Sequence, residues 1–106
     1  ILAIHQPHRY TRLDNLFEEF CTCFHDADVV GITDVFAAGE MPIKGADRED
    51  LVSGLVRHGH RHTVSVKNEE ALAEFFSSQC RSGDMLVCLG AGSISAWAHK
   101  LASDVV

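Results

Sequence analysis

The sequence has no apolar run approaching the roughly eighteen residues that a membrane-spanning helix needs. No basic-then-apolar leader precedes its first motif. Basic residues are outnumbered, 9 Lys and Arg against 15 Asp and Glu, and the resulting net charge of −6 argues against non-specific nucleic-acid binding. Aromatic side chains occur singly or in helical register, which leaves no stacking platform for bases. The cysteines, Cys21, Cys23, Cys80 and Cys88, lack the CxxC spacing of zinc sites. They lie in apolar segments, which predicts buried, reduced thiols in a cytoplasmic protein. A GxxxxGKS/T phosphate loop is missing as well, so if ATP is used, another part of the protein must hold most of it. An initiator Met is also missing, and strand-like Ile1-Leu2-Ala3-Ile4 opens the numbering, which predicts a piece cut from a longer protein.

What is present suffices for one ordinary domain: 106 residues, 46% of them hydrophobic. A short apolar run, a turn and an amphipathic helix follow one another in that order four times. Ile1 to His5 reads as a strand rich in branched residues. Leu13, Leu16, Phe17, Phe20, Cys21 and Phe24 then recur at helical spacing and predict a single buried stripe, with Thr11 and Asp14 as a capping pair. Val29 to Phe36 predicts the second strand. Asp47 can cap a helix that buries Leu51, Val52, Leu55 and Val56, with Gly59 at its C-terminal stop. His62 to Val66 predicts a third strand, and Asn68 opens a helix that buries Leu72, Phe75 and Phe76. Met85 to Leu89 is the fourth strand, followed by a turn at Gly90-Ala91-Gly92 and a helix carrying Ile94, Trp97, Ala98 and Leu101 on one face. This alternation predicts a single α/β, Rossmann-like domain over residues 1–106, its mostly parallel sheet covered by helices on both faces.

Ligands of such sheets gather beyond the carboxyl ends of the strands, and three loops lie there. The first, Gln6-Pro7-His8-Arg9-Tyr10-Thr11-Arg12, sets His8, Arg9 and Arg12 at the start of a helix. Cations at that end cost roughly a few tenths of a kcal/mol each unless an anion compensates. The free N–H groups of the same helix end also favour an anion. Arg9 and Arg12 could therefore grip one carboxylate or phosphate through paired hydrogen bonds, or instead be solvated beside Asp14 and Glu18. The second loop, Asp34-Val35-Phe36-Ala37-Ala38-Gly39-Glu40, offers two carboxylates, Asp34 and Glu40, to a substrate ammonium or a proton; a capping role is the plainer reading. The third, Gly90-Ala91-Gly92-Ser93, is a glycine turn into a helix whose backbone donors could meet an anion. The run Arg57-His58-Gly59-His60-Arg61-His62 reads as a solvated loop at a helix end, not a metal site.

The first loop, then Asp34-Val35-Phe36-Ala37-Ala38-Gly39-Glu40 with Pro42-Ile43 and Gly45-Ala46-Asp47, then Gly90-Ala91-Gly92, together resemble UDP-N-acetylmuramate–L-alanine ligases of the Mur ligase family. The resemblance is ordered, covers essentially the whole chain, and is to the C-terminal, amino-acid-binding domain. It implies that a UDP-sugar domain and a central ATPase domain, with ATP and Mg2+, lie outside this chain. It also implies that the sugar carboxylate is phosphorylated and that the amine of L-alanine attacks the acyl phosphate. By resemblance, Arg9 and Arg12 clamp the alanine carboxylate, with His8 lining the same site near the phosphates. Asp34, Glu40, Gly90 and Gly92 are further candidate contacts.

The chain departs from the family pattern in three places. Leu13 stands where a polar residue is usual, Ala37 where Pro is usual, and Ser93 and Ser95 replace an amide or acid and a glycine. The second of these implies a less rigid loop, and the third a less secure ligand role for the last turn, although Ser93 can still cap its helix. Two rivals remain at this stage. One is a related recycling ligase that attaches a peptide to the muramic acid. The other is a regulatory anion-binding module.

Overall fold

The computed structural model describes residues 1–60, 62–81, 83–90 and 93–104. Its strands are β1 (Leu2–His5), β2 (Val29–Ile32), β3 (Thr63–Ser65) and β4 (Leu86–Leu89). They form one parallel sheet in the order β3-β2-β1-β4, with Ala3 opposite Val30 on one side and opposite Val87 on the other. Parallel neighbours cannot be joined by a tight turn, so each connection carries helix. Helices α1 (Tyr10–Asn15) and α2 (Phe17–Thr22) lead to β2, α3 (Arg48–Arg57) to β3, α4 (Glu69–Gln79) to β4, and α5 (Ser93–Asp104) follows β4.

Side chains alternate across the sheet and divide the core in two. Ala3, Val30 and Ile32 pack with Leu13, Cys21, Leu51 and Leu55 under α1, α2 and α3. Leu2, Ile4 and Val66 pack with Leu72, Phe75 and Ile94 under α4 and α5. Both faces are therefore covered, which is why the strands read as near-continuous apolar runs.

The local signals in α3 and α4 are realised. Asp47 accepts from the Asp50 N–H at 2.8 Å while the Asp50 carboxylate accepts from the Asp47 N–H at 3.2 Å, a reciprocal capping box. Asn68 accepts from the Ala71 N–H at 2.9 Å. Leu13, the first departure from the family pattern, is buried in the core and makes no polar demand there.

Several expectations are corrected. The single helix after β1 is two short ones that meet at Leu16, whose φ of −113° lies outside the helical range and whose side chain is exposed. Each half follows a different neighbour: α1 starts against the second loop, and α2 lies against α3. Thr11 does not cap with Asp14; it sits inside α1 and bonds Glu40 instead. Val56 is exposed, and Gly54 takes the buried position, where a Cβ would stand 2.5 Å from Cys21 Sγ and 3.0 Å from the Phe17 ring. Regular β2 pairing ends at Ile32, not Phe36. The four thiols are free, but only Cys21 is fully buried and Cys23 is exposed.

Candidate functional site

The carboxyl ends of β1 and β2 do not splay apart. The Thr33 N–H donates to the His5 carbonyl at 3.0 Å, the Phe36 N–H to the Pro7 carbonyl at 2.8 Å, and the Arg9 N–H to the Phe36 carbonyl at 2.7 Å. This second ladder closes as an isolated parallel bridge between His8 and Phe36. The ring of His8 stacks on that of Phe36 with centroids 5.4 Å apart and planes 11° apart. The first two loops thus form one surface, and the orientation of His8 is set by the second.

Arg9 holds a left-handed φ of 65°, uncommon for a residue with a Cβ, at the position before α1. Its side chain makes no cap. The cap comes from Glu40, whose Oε2 accepts from the Thr11 hydroxyl at 2.7 Å and whose Oε1 accepts from the Thr11 N–H at 3.1 Å. The anion that the first turn calls for is therefore supplied from within the chain. The Thr11 hydroxyl first, then its N–H, and then the nearby Arg9 charge hold the Glu40 carboxyl below its ordinary range. Arg9 and Arg12 are both exposed. Among the described residues neither guanidinium pairs with a carboxylate: Glu18 goes to His58 instead, 2.9 Å from its Nε2.

Asp34, at the end of β2, forms an ion pair with Arg48. The half-buried Arg48 side chain also donates from Nε to Glu49 at 3.0 Å, and Glu49 accepts from the Ser65 hydroxyl at 2.6 Å. The Ser65 bond and then Arg48 lower the Glu49 carboxyl. This chain of Asp34, Arg48, Glu49 and Ser65 ties β2, α3 and β3 together beside the second loop. Sequence reasoning missed it, because Arg48 carries no signal of its partner beyond standing at a helix start.

On the other side of β1, Gln6 is buried and its side-chain oxygen accepts from the Ile94 N–H at 3.1 Å, linking β1 to the first turn of α5. Gly90 has a φ of 153°, and a Cβ there would meet Ile94 at 2.8 Å and Gln6 at 3.0 Å, so a side chain is excluded. Gly92 lies outside the described residues. The structure thus joins His8 and Arg9 to Phe36 directly, brings Glu40 to the same turn through Thr11, and links Gly90 to β1 through Gln6.

The histidine run is solvated only in part: Arg57, Gly59 and His62 are exposed. His60 is buried and donates from Nε2 to the Ala27 carbonyl at 2.8 Å, while His58 donates from Nδ1 to the Gly54 carbonyl at 2.7 Å. Arg61 lies outside the described residues. Among the described residues no three ligating side chains converge, and no helix is long and apolar enough to cross a membrane.

No family model matches the chain. Curated relatives match it closely. It is 61% identical to the UDP-N-acetylmuramate–L-alanine ligase of Dinoroseobacter shibae over 101 residues, which is 95% of this chain and 22% of that protein. Identity to the ligase of the same name is 63% in Ruegeria sp. strain TM1040 over 95% of the chain and 22% of the relative. It is 59% in Paracoccus denitrificans, over 95% of the chain and 21% of the relative. The chain spans about a fifth of the length of these relatives. Over nearly all of its length the chain is thus similar to one segment of proteins named UDP-N-acetylmuramate–L-alanine ligase.

Proposed function

We propose that residues 1–106 are the C-terminal, amino-acid-binding domain of an ATP-dependent ligase that joins L-alanine to UDP-N-acetylmuramate in the cytoplasm, a step in making peptidoglycan precursors. The observation that carries this reading is the identity of 59–63% over 101 residues to ligases named for those two substrates. The same name favours L-alanine over the peptide of a recycling ligase. ATP and Mg2+ are bound mainly by parts of the protein outside this chain, as is the UDP-sugar, so the isolated domain is inactive.

This chain's share of the chemistry is positioning. Arg9 and Arg12, exposed and without an ion pair among the described residues, hold the alanine carboxylate through charge-assisted hydrogen bonds. His8, fixed by its stack on Phe36, lines the same site. Asp34, Glu40, Gly90 and Gly92 border it. Holding the amine against an acyl phosphate makes a bimolecular step effectively unimolecular, worth about several kcal/mol. Closure of this domain over the rest of the enzyme excludes water that would hydrolyse the acyl phosphate.

The test is phosphate release by the full-length protein given ATP, Mg2+ and UDP-N-acetylmuramate, with L-alanine or a muropeptide tripeptide as acceptor. Alanine-dependent turnover is expected. Turnover with the tripeptide alone would transfer the chain to the recycling ligases.

A further inference from the structure

We infer that Glu40 is a positioning residue for the carboxylate clamp, acting through Thr11 to fix the backbone from which Arg9 and Arg12 project. The inference rests on the reading of those arginines as the alanine-carboxylate site. Helix α1 has six residues, far below the length at which a helix is stable alone, and Arg9 at its N-cap provides no side-chain cap. Something else must hold its first turn. Glu40 spends both carboxylate oxygens on Thr11, one on the N–H and one on the hydroxyl, across 29 residues of sequence.

Glu40 is itself held in place. Its N–H donates to the Ala37 carbonyl at 3.0 Å, closing a turn through the left-handed residues Ala38 and Gly39. The same loop grips Arg9 from the other side, where the Phe36 carbonyl accepts the Arg9 N–H at 2.7 Å. The strained φ of Arg9 is thus over-determined by one neighbouring loop, as strained residues at functional positions require.

Charge gives the arrangement its purpose. Arg9, at the N-cap of α1, stands at the positive end of the helix, and Glu40 offsets this without an ion pair, because its oxygens bond Thr11. The guanidinium groups stay exposed and available. A cap that served the fold alone would have no bearing on alanine.

The experiment uses the full-length protein as wild type, E40A, E40Q, T11V and the E40A/T11V double variant. Phosphate release is followed with L-alanine and ATP varied in turn, alongside thermal unfolding and hydrogen exchange across residues 9–13. E40A is expected to raise the alanine KM about tenfold, with the ATP KM within about twofold of wild type. E40Q, whose amide oxygen can still accept from Thr11, should recover part of the loss. The double variant should be no worse than E40A, because both changes break one link. Amide exchange in the first turn of α1 should accelerate in E40A.

Faster exchange with an unchanged alanine KM would reduce Glu40 to a structural cap and overturn the inference, as would unchanged exchange. A wild type that never needs alanine would instead refute the functional reading, and the exchange result would still decide whether Glu40 fixes the loop.

Discussion

The imidazole of His5 lies between the rings of Phe20 and Phe24, with centroids 5.3 and 5.2 Å away, and neither ring nitrogen has a hydrogen-bond partner. Burial pushes its pKa down to about 4, only partly opposed by the nearby Leu89 backbone. The ring is therefore neutral at neutral pH. In the unfolded chain it regains its ordinary value of 6.5, so below that pH the unfolded state takes up the proton first. Stability is fully present above pH 6.5 and falls by about 1.4 kcal/mol per pH unit down to about pH 4, roughly 3 kcal/mol in all. His5→Phe should remove this slope; urea unfolding of wild type and variant at pH 7 and pH 5 measures it, and an equal pH dependence in both would refute the assignment. No residue pattern announces His5, since its neighbours, Phe20 in α2 and Phe24 in the turn after it, lie fifteen and nineteen residues on. The placement of Arg9 and Arg12 at and just inside the start of a helix was legible, because the helical spacing begins there. The partner of Thr11 was not, because Asp14 is near in sequence and Glu40 is near only in space.

Helix α3 shows how far element-scale reasoning reaches. Its cap was readable from Asp47, though the reciprocal bond from Asp50 was not, and Asp47→Ala should cost about 1 kcal/mol, seen as a lower urea midpoint at unchanged slope. Its buried face was misread at one position, because periodicity ranks Val56 above Gly54 while packing decides the opposite. Gly54 is where α2 comes closest, with room for no Cβ beside Cys21 and Phe17. Gly54→Ala should therefore destabilise by about 1–3 kcal/mol despite its better helix propensity. Adding Cys21→Ala should restore part of that loss, because it removes the nearest atom, and additive losses in a denaturation cycle would contradict the close approach. The break at Leu16 was invisible for the same reason: every residue of the stripe fits one helix, and only the separate anchoring of its two halves bends it.

For the molecule as a whole, alternation of strands and helices was enough to foresee a parallel sheet covered on both faces. Strand order was not readable, because it depends on where each crossover packs. The order β3-β2-β1-β4 puts β1 in the middle, so the loop after it touches both the second loop, through Phe36, and the start of α5, through Gln6. The loop after this central strand carries His8 and Arg9, and Arg12 follows in α1, so all three lie beyond the carboxyl end of β1, where parallel sheets gather ligands. The measurement that bears most directly on this is the alanine KM of the full-length protein with Arg12→Ala, at saturating ATP and UDP-N-acetylmuramate. Losing one guanidinium from a paired carboxylate grip predicts a rise of about tenfold to a hundredfold, with the ATP KM unmoved. Normal use of alanine by the folded variant would contradict the carboxylate clamp.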